Sequence, residues 1–289
     1  MVFFSEDPIR AIQAFASPWL TATMIVLTEI GSRWILFGLA MLVAYLLDKR
    51  TGFFLAIVLL ASATSNSILK TAFAMPRPDP VLHLAGSSGY GFPSGHAQSS
   101  TTFFAAAAWK LRHLWIPLAI VAIPAIAFTR LYLGVHFLGD VLGGAAFGLA
   151  AVAIAVVLAR APFWDRLDVR ARLLVAFLAP TAVQGVLFLA LRQVSTSLGL
   201  LTGVALGIVL EARWVNFGRP RGTPAFALRF LLGGACLAAL EFLRETIEYA
   251  PANYAFLILA GIVATVVVPW IFVTIEARLP RPELPQAPA

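Results

Sequence analysis

The stretch HFLGDVLGGAAFGLAAVAIAVVLA (residues 136–159) decides the fold. At 1.5 Å of rise per residue it is long enough to cross a hydrocarbon core about 30 Å thick. No water reaches that core to satisfy the backbone, so a run this long and continuous has to be a helix. Its first turn nevertheless carries His136 and Asp140, four residues apart and so on one helical face. Ionisable side chains at the mouth of a membrane helix are costly, and by default they mark function.

The rest of the chain agrees with that reading. Of its 289 residues 60% are hydrophobic and only 12% charged, with a mean hydropathy of +0.88. A soluble domain has about half its residues apolar and about a quarter charged. Apolar runs near 33–48, 52–71, 97–110, 115–131, 136–159, 173–191, 198–213, 225–243 and 253–275 predict about nine transmembrane helices in an all-α integral membrane protein. In residues 1–32, Ser5, Glu6, Asp7 and Arg10 break the apolar pattern early and no cleavage-site pattern follows. That argues for an interfacial amphipathic segment and against a signal peptide, with a crossing by residues 12–30 as the other reading.

Net charge is +7, and its placement speaks of topology and not of nucleic acid. With Lys49 and Arg50 cytoplasmic, fourteen lysines and arginines fall on the cytoplasmic side and five on the other: Lys70, Arg77, Arg130, Arg192 and Arg244. The chain then reads as multi-pass in a bacterial-type cytoplasmic membrane. Trp34, Trp109, Trp115, Trp164, Trp214 and Trp270 sit near helix ends, as an interfacial belt should. Cys236 is the single cysteine, which excludes an intrachain disulfide.

Beyond the interfacial segment, residues 33–160 predict a catalytic helical core and 161–172 a charged cytoplasmic linker. Residues 173–279 predict a four-helix extension, and the proline-rich 280–289 a disordered tail. Small-residue spacings at Gly139, Gly143, Gly144 and Gly148, and at Gly199, Gly203 and Gly207, predict close helix packing, with homodimerisation as the sharper alternative.

Three clusters fall on the non-cytoplasmic ends of neighbouring helices: Lys70 with Arg77-Pro78, Pro93-Ser94-Gly95-His96, and Thr129-Arg130 with His136 and Asp140. Taken singly they read as a snorkelling lysine, an extended Pro-Arg-Pro loop, an N-cap and a polar rim histidine. Charge counting places them on one side without reference to any motif. The backbone N–H groups of Ser94, Gly95 and His96 at a helix start would cradle an anion, and Lys70, Arg77 and Arg130 would neutralise its remaining oxygens. Asp140 would hold one ring nitrogen of His136 protonated and leave the other as an in-line nucleophile. His96 would protonate the leaving oxygen. This set serves phosphoryl transfer, where positioning and charge stabilisation dominate, and it calls for no metal and no cofactor.

Lys70-x6-Arg77-Pro78, Pro93-Ser94-Gly95-His96 and Arg130-x5-His136-x3-Asp140 together resemble the three-part signature of the type 2 phosphatidic acid phosphatase (PAP2) superfamily, over roughly residues 15–155. The resemblance implies a phosphohistidine on His136, oriented by Asp140, with His96 as general acid. It implies that Lys70, Arg77, Ser94, Gly95 and Arg130 hold phosphate, without a metal. Thr129 stands where the family often has Ser, and Asp79 where bacterial members often carry a further Arg; the second change removes a cation and bears on headgroup preference. The expected substrate is a membrane lipid phosphate or pyrophosphate of the undecaprenyl pyrophosphate, phosphatidic acid or phosphatidylglycerol phosphate type, met on the outer leaflet. The alternatives are a lipid-linked phosphotransferase and a lipid transporter coupled to the phosphatase core. His83 in the same loop reads as a candidate for gating or for leaving-group contacts, His113 as a solvated cytoplasmic end, and the Glu241–Glu248 cluster as ion-paired flanking residues.

Overall fold

A computed structural model describes residues 2–278, and the tail expected at 280–289 lies outside them. Among the described residues the regular structure is helical throughout, with no strand. Two short elements, α1 (Asp7–Gln13) and α2 (Pro18–Ile30), precede α3 (Arg33–Leu46), α4 (Lys49–Phe73), α5 (Gly95–Leu111), α6 (Trp115–Tyr132) and α7 (Leu138–Arg160). The extension is α8 (Val169–Leu191), α9 (Thr196–Trp214), α10 (Gly222–Glu245), then α11 (Ala250–Ile262) running through a π-helical turn (Val263–Val267) into α12 (Val268–Glu276). Local chemistry sets the starts. Asp48 and Asp168 accept the backbone N–H groups of Thr51 and Ala171 at 2.8 Å, capping α4 and α8.

All nine apolar runs are helical, but seven helical segments are long and apolar enough to cross on their own. An eighth arises if α2 and α3, bent by 51° at Gly31-Ser32, count as one broken span. The expected run at 97–110 is α5, of 17 residues, and it falls short for a physical reason. Gln98, Ser99, Ser100, Thr101 and Thr102 are buried in its middle against α4 and α7, so α5 is a polar-cored helix shielded from lipid by its neighbours. In the N-terminal segment, α2 packs along α6. Gly31 packs against Ile126, where a side chain would clash, so α2 descends beside α6 before the chain turns into α3.

The glycine patterns serve packing within the chain. Gly144 and Gly148 meet Ser94, Ala97 and Thr101 of the α5 region, while Gly199, Gly203 and Gly207 meet Tyr254, Ile258 and Thr265. The extension is fastened to the core by buried charge. Arg229 (2% exposed) holds Glu276 with both guanidinium arms, one at 2.8 Å, and donates to the backbone oxygens of Tyr45 and Gly218. Lys49 pairs with Glu211 at 2.8 Å. Two such ties, with Tyr45 Oη donating to Ala264 O at 2.6 Å, seat the extension on α3 and α4.

Candidate active site

Four helix ends and one loop build the site. Lys70 lies one turn from the end of α4, which stops where Ala74 turns left-handed (φ 47°). The loop 74–94 crosses over to start α5 and carries Arg77. Arg130 ends α6, and Gly134 then takes φ +69° hard against Leu82 O, a place only glycine fits. That turn delivers Val135 and His136 to the mouth of α7, where Asp140 sits in the first turn.

His136 is buried and doubly held. Its Nδ1 lies 3.1 Å from Asp140 Oδ2, and its Nε2 lies 3.2 Å from Arg77 Nη1. Asp140 Oδ2 also accepts the Phe137 N–H at 2.9 Å, which fixes the carboxylate. With Nδ1–H donating to Asp140, the lone pair of Nε2 faces the guanidinium. Burial first, and the Arg77 guanidinium next, hold the His136 pKa well below the usual histidine range, so the ring is neutral. Arg77 is itself fixed by Val135 O, Gly89 O and Ser88 O at 2.8–2.9 Å.

The phosphate turn differs from its expected form in one respect. The Ser94 N–H donates to Asp140 O at 2.9 Å, so it is taken up by the protein and is not free for an anion. Gly95 and His96, in the first helical turn, keep their amides outside the helical ladder, and the buried Ser94 Oγ has no protein partner. Asn66 and Gln98 hold this turn and were not anticipated. Asn66 Nδ2 donates to Pro93 O at 3.2 Å and to Gln98 Oε1 at 2.9 Å, while Gln98 Nε2 donates to Ser62 O at 2.9 Å. The signal was available: Asn66 is a polar residue in an apolar span, one turn before Lys70 and on its face.

The remaining predicted groups gather at the same place. Lys70 Nζ donates to Tyr90 O and, at 3.1 Å, to Gly91 O; a side chain at Gly91 would press on Asp140 Oδ2. Arg130 is buried, donates to Thr28 Oγ1 at 2.8 Å, and keeps its Nε without a protein partner. His96 is half-buried, and neither ring nitrogen has a protein hydrogen bond among the described residues. Asp79 does not face this site: it caps the Pro80–Leu82 turn, and its N–H is held by Glu6 Oε1 at 3.0 Å. Thr129 bonds back to Ile126 O. His83 braces its own loop through Pro78 O and Ser87 Oγ. His113 lies beyond the far end of α5, and Arg244 pairs with Glu241 through both arms. No group of three His, Cys, Asp or Glu side chains placed to hold a metal occurs among the described residues.

Residues 51–164 match the model of the PAP2 superfamily, and residues 195–279 match that of the PAP2 superfamily phosphatase, transmembrane extension. The chain belongs to the PAP2 superfamily. It is similar to phosphatidylglycerophosphatase B of Bacillus subtilis (strain 168), 29% identical over 157 residues that are 48% of this chain and 75% of that protein. Decaprenylphosphoryl-5-phosphoribose phosphatase of Mycobacterium tuberculosis (strain ATCC 25618 / H37Rv) is 37% identical over 90 residues, 30% of this chain and 49% of the relative. A crystal structure of a transmembrane PAP2 type phosphatidylglycerolphosphate phosphatase from Bacillus subtilis aligns at 26% identity with a TM-score of 0.46, over 53% of this chain and 83% of the other. This PAP2 chain is thus a multi-pass membrane phosphatase whose relatives act on lipid phosphates.

Proposed function

We propose that the chain hydrolyses a lipid phosphate or pyrophosphate on the non-cytoplasmic side of a bacterial-type membrane, through a phosphohistidine on His136. The observation that carries this reading is the His136–Asp140 couple at 3.1 Å with the opposite ring nitrogen turned to Arg77. His136 Nε2 attacks phosphorus while His96 gives its proton to the leaving oxygen, and the P–O bond to the leaving group breaks. A water then gives a proton back to His96 and attacks the phosphohistidine, which releases phosphate and restores His136. Lys70, Arg77 and Arg130 balance the oxyanion charge, with the Gly95 and His96 amides and Ser94 Oγ completing the cradle. The residues suffice without a metal ion. The outward placement is supported by the charge asymmetry, fourteen lysines and arginines on the cytoplasmic side against seven on the other with Arg10 and Arg33 counted.

The test is phosphate release by purified protein in detergent with EDTA present. The panel is undecaprenyl pyrophosphate, phosphatidic acid, phosphatidylglycerol phosphate and p-nitrophenyl phosphate. Turnover that persists in EDTA and disappears in His136→Ala is the expected result. Full activity in that variant would remove His136 from the mechanism.

A further inference from the structure

Beside His96 lies a cavity of about 330 Å³ that His136 does not line, its walls carrying charged, polar and apolar groups. Of the catalytic set only Gly95 and His96 line it, joined by Asn66 and Ser99 from α4 and α5 and by Glu29, Arg33 and Trp34 from the α2–α3 elbow. In-line displacement sends the leaving oxygen away from the nucleophile, and His96, which would protonate that oxygen, is the catalytic side chain that lines this space. The volume lies in the range of small-molecule sites, about 300–1,000 Å³.

The chemistry of the walls is specific. Glu29 and Arg33 carry opposite charges, yet neither is in an ion pair among the described residues. Arg33 makes one long hydrogen bond, 3.3 Å to Ser197 Oγ at the start of α9. Its guanidinium lies 5.0 Å from the Trp34 ring centroid, and that of Arg244 lies 4.5 Å from the same ring. The extension therefore props the elbow at two points, through α9 and α10. A carboxylate that accepts, a guanidinium that donates, and amide and hydroxyl groups between them suit a neutral, hydroxyl-rich group.

We propose that this elbow cavity is a leaving-group subsite, in which Glu29 and Arg33 bind a polyhydroxylated spacer, of glycerol or sugar type, between the scissile phosphate and the lipid tail. The proposal rests on the phosphatase reading above and names the substrate class within it. It also gives the extension a role, holding the elbow that forms the subsite wall.

The experiment compares kcat/KM of the full chain in detergent for phosphatidylglycerol phosphate, whose scissile phosphate sits on a glycerol with a free hydroxyl, and phosphatidic acid, whose glycerol is fully esterified and offers none. p-Nitrophenyl phosphate reports on the catalytic centre itself. The expected result is a preference for the lipid with the free hydroxyl, with the ratio of the two kcat/KM values falling at least about tenfold in Arg33→Ala and in Glu29→Gln. Glu29 is exposed, so Glu29→Gln keeps the test decisive if Arg33→Ala fails to fold, as read by thermal unfolding. A native ratio near one, or a ratio within twofold of native in a folded variant, overturns the subsite. Hydrolysis of p-nitrophenyl phosphate with neither lipid accepted also overturns it and leaves the phosphatase reading standing. No hydrolysis of any of the three overturns both.

Discussion

The backbone oxygen of Asp140 accepts the Ser94 N–H at 2.9 Å, while the side chain of the same residue holds His136. One residue thereby registers the nucleophile against the phosphate turn, across two helices 46 positions apart in the chain. Geometry between them is set by a backbone bond, and chemistry by the carboxylate.

Asp140→Asn separates those two roles. The backbone bond survives, but an amide cannot enforce the Nδ1–H tautomer. In hydrolases that use a comparable His–Asp couple such a change lowers kcat about 10⁴-fold. We expect a fall of at least about 10²-fold in kcat with little change in thermal unfolding, read from phosphate release and a melting curve on the same preparation.

Asn66→Ala should act through position and not through charge. It strands Pro93 O and the Gln98 amide in a buried network, at a cost of about 1–3 kcal/mol. The measurable result is a lower unfolding temperature together with a raised KM, because the Gly95 and His96 amides lose their fixed aim. An unchanged KM would show that the turn holds itself.

The acid limb of the rate profile should lie low. His136 is held well below the ordinary histidine value of 6.5 by burial and by Arg77, so it stays neutral as the pH falls through 6.5. In the unfolded chain the same residue binds its proton first, so stability also begins to decline below about 6.5, where the unfolded state takes up more protons. The loss of kcat/KM that protonation of His136 brings is expected only below 6.5. An acid limb centred at or above 6.5 would contradict the burial.

Breaking the Arg229–Glu276 pair should cost more than removing it. Glu276→Ala leaves a buried guanidinium without its charge partner, about 3–5 kcal/mol, whereas Arg229→Met with Glu276→Leu costs far less and can be neutral. Chemical unfolding in detergent of the single and double variants gives the ordering.

Much of this was legible in the sequence, because membrane burial writes plainly. Apolar runs became helices, charge asymmetry put the clusters on one side, and Lys70, Arg77, Ser94, Gly95, His96, Arg130, His136 and Asp140 do converge. What escaped was set by contacts between distant residues. Hydropathy cannot tell a short helix in lipid from α5, whose Gln98–Thr102 stretch is satisfied by neighbouring helices. Spacing could not show that the Ser94 N–H is spent on Asp140 O. The elbow at Gly31-Ser32, and with it the position of Glu29 and Arg33, follows from packing against Ile126.

Arg229 and Glu276 are 47 positions apart, and synthesis runs in one direction. For the interval between their emergence, α10 carries an arginine whose carboxylate partner does not yet exist. A charge within a membrane helix is tolerated poorly until it is paired. The arrival of α12 ends that interval, and with the same docking step the π-helical turn just before α12 brings Ala264 O to Tyr45. The helix that carries Glu276 is thus made after both of the helices it helps to lock, α10 through Arg229 and α3 through Tyr45.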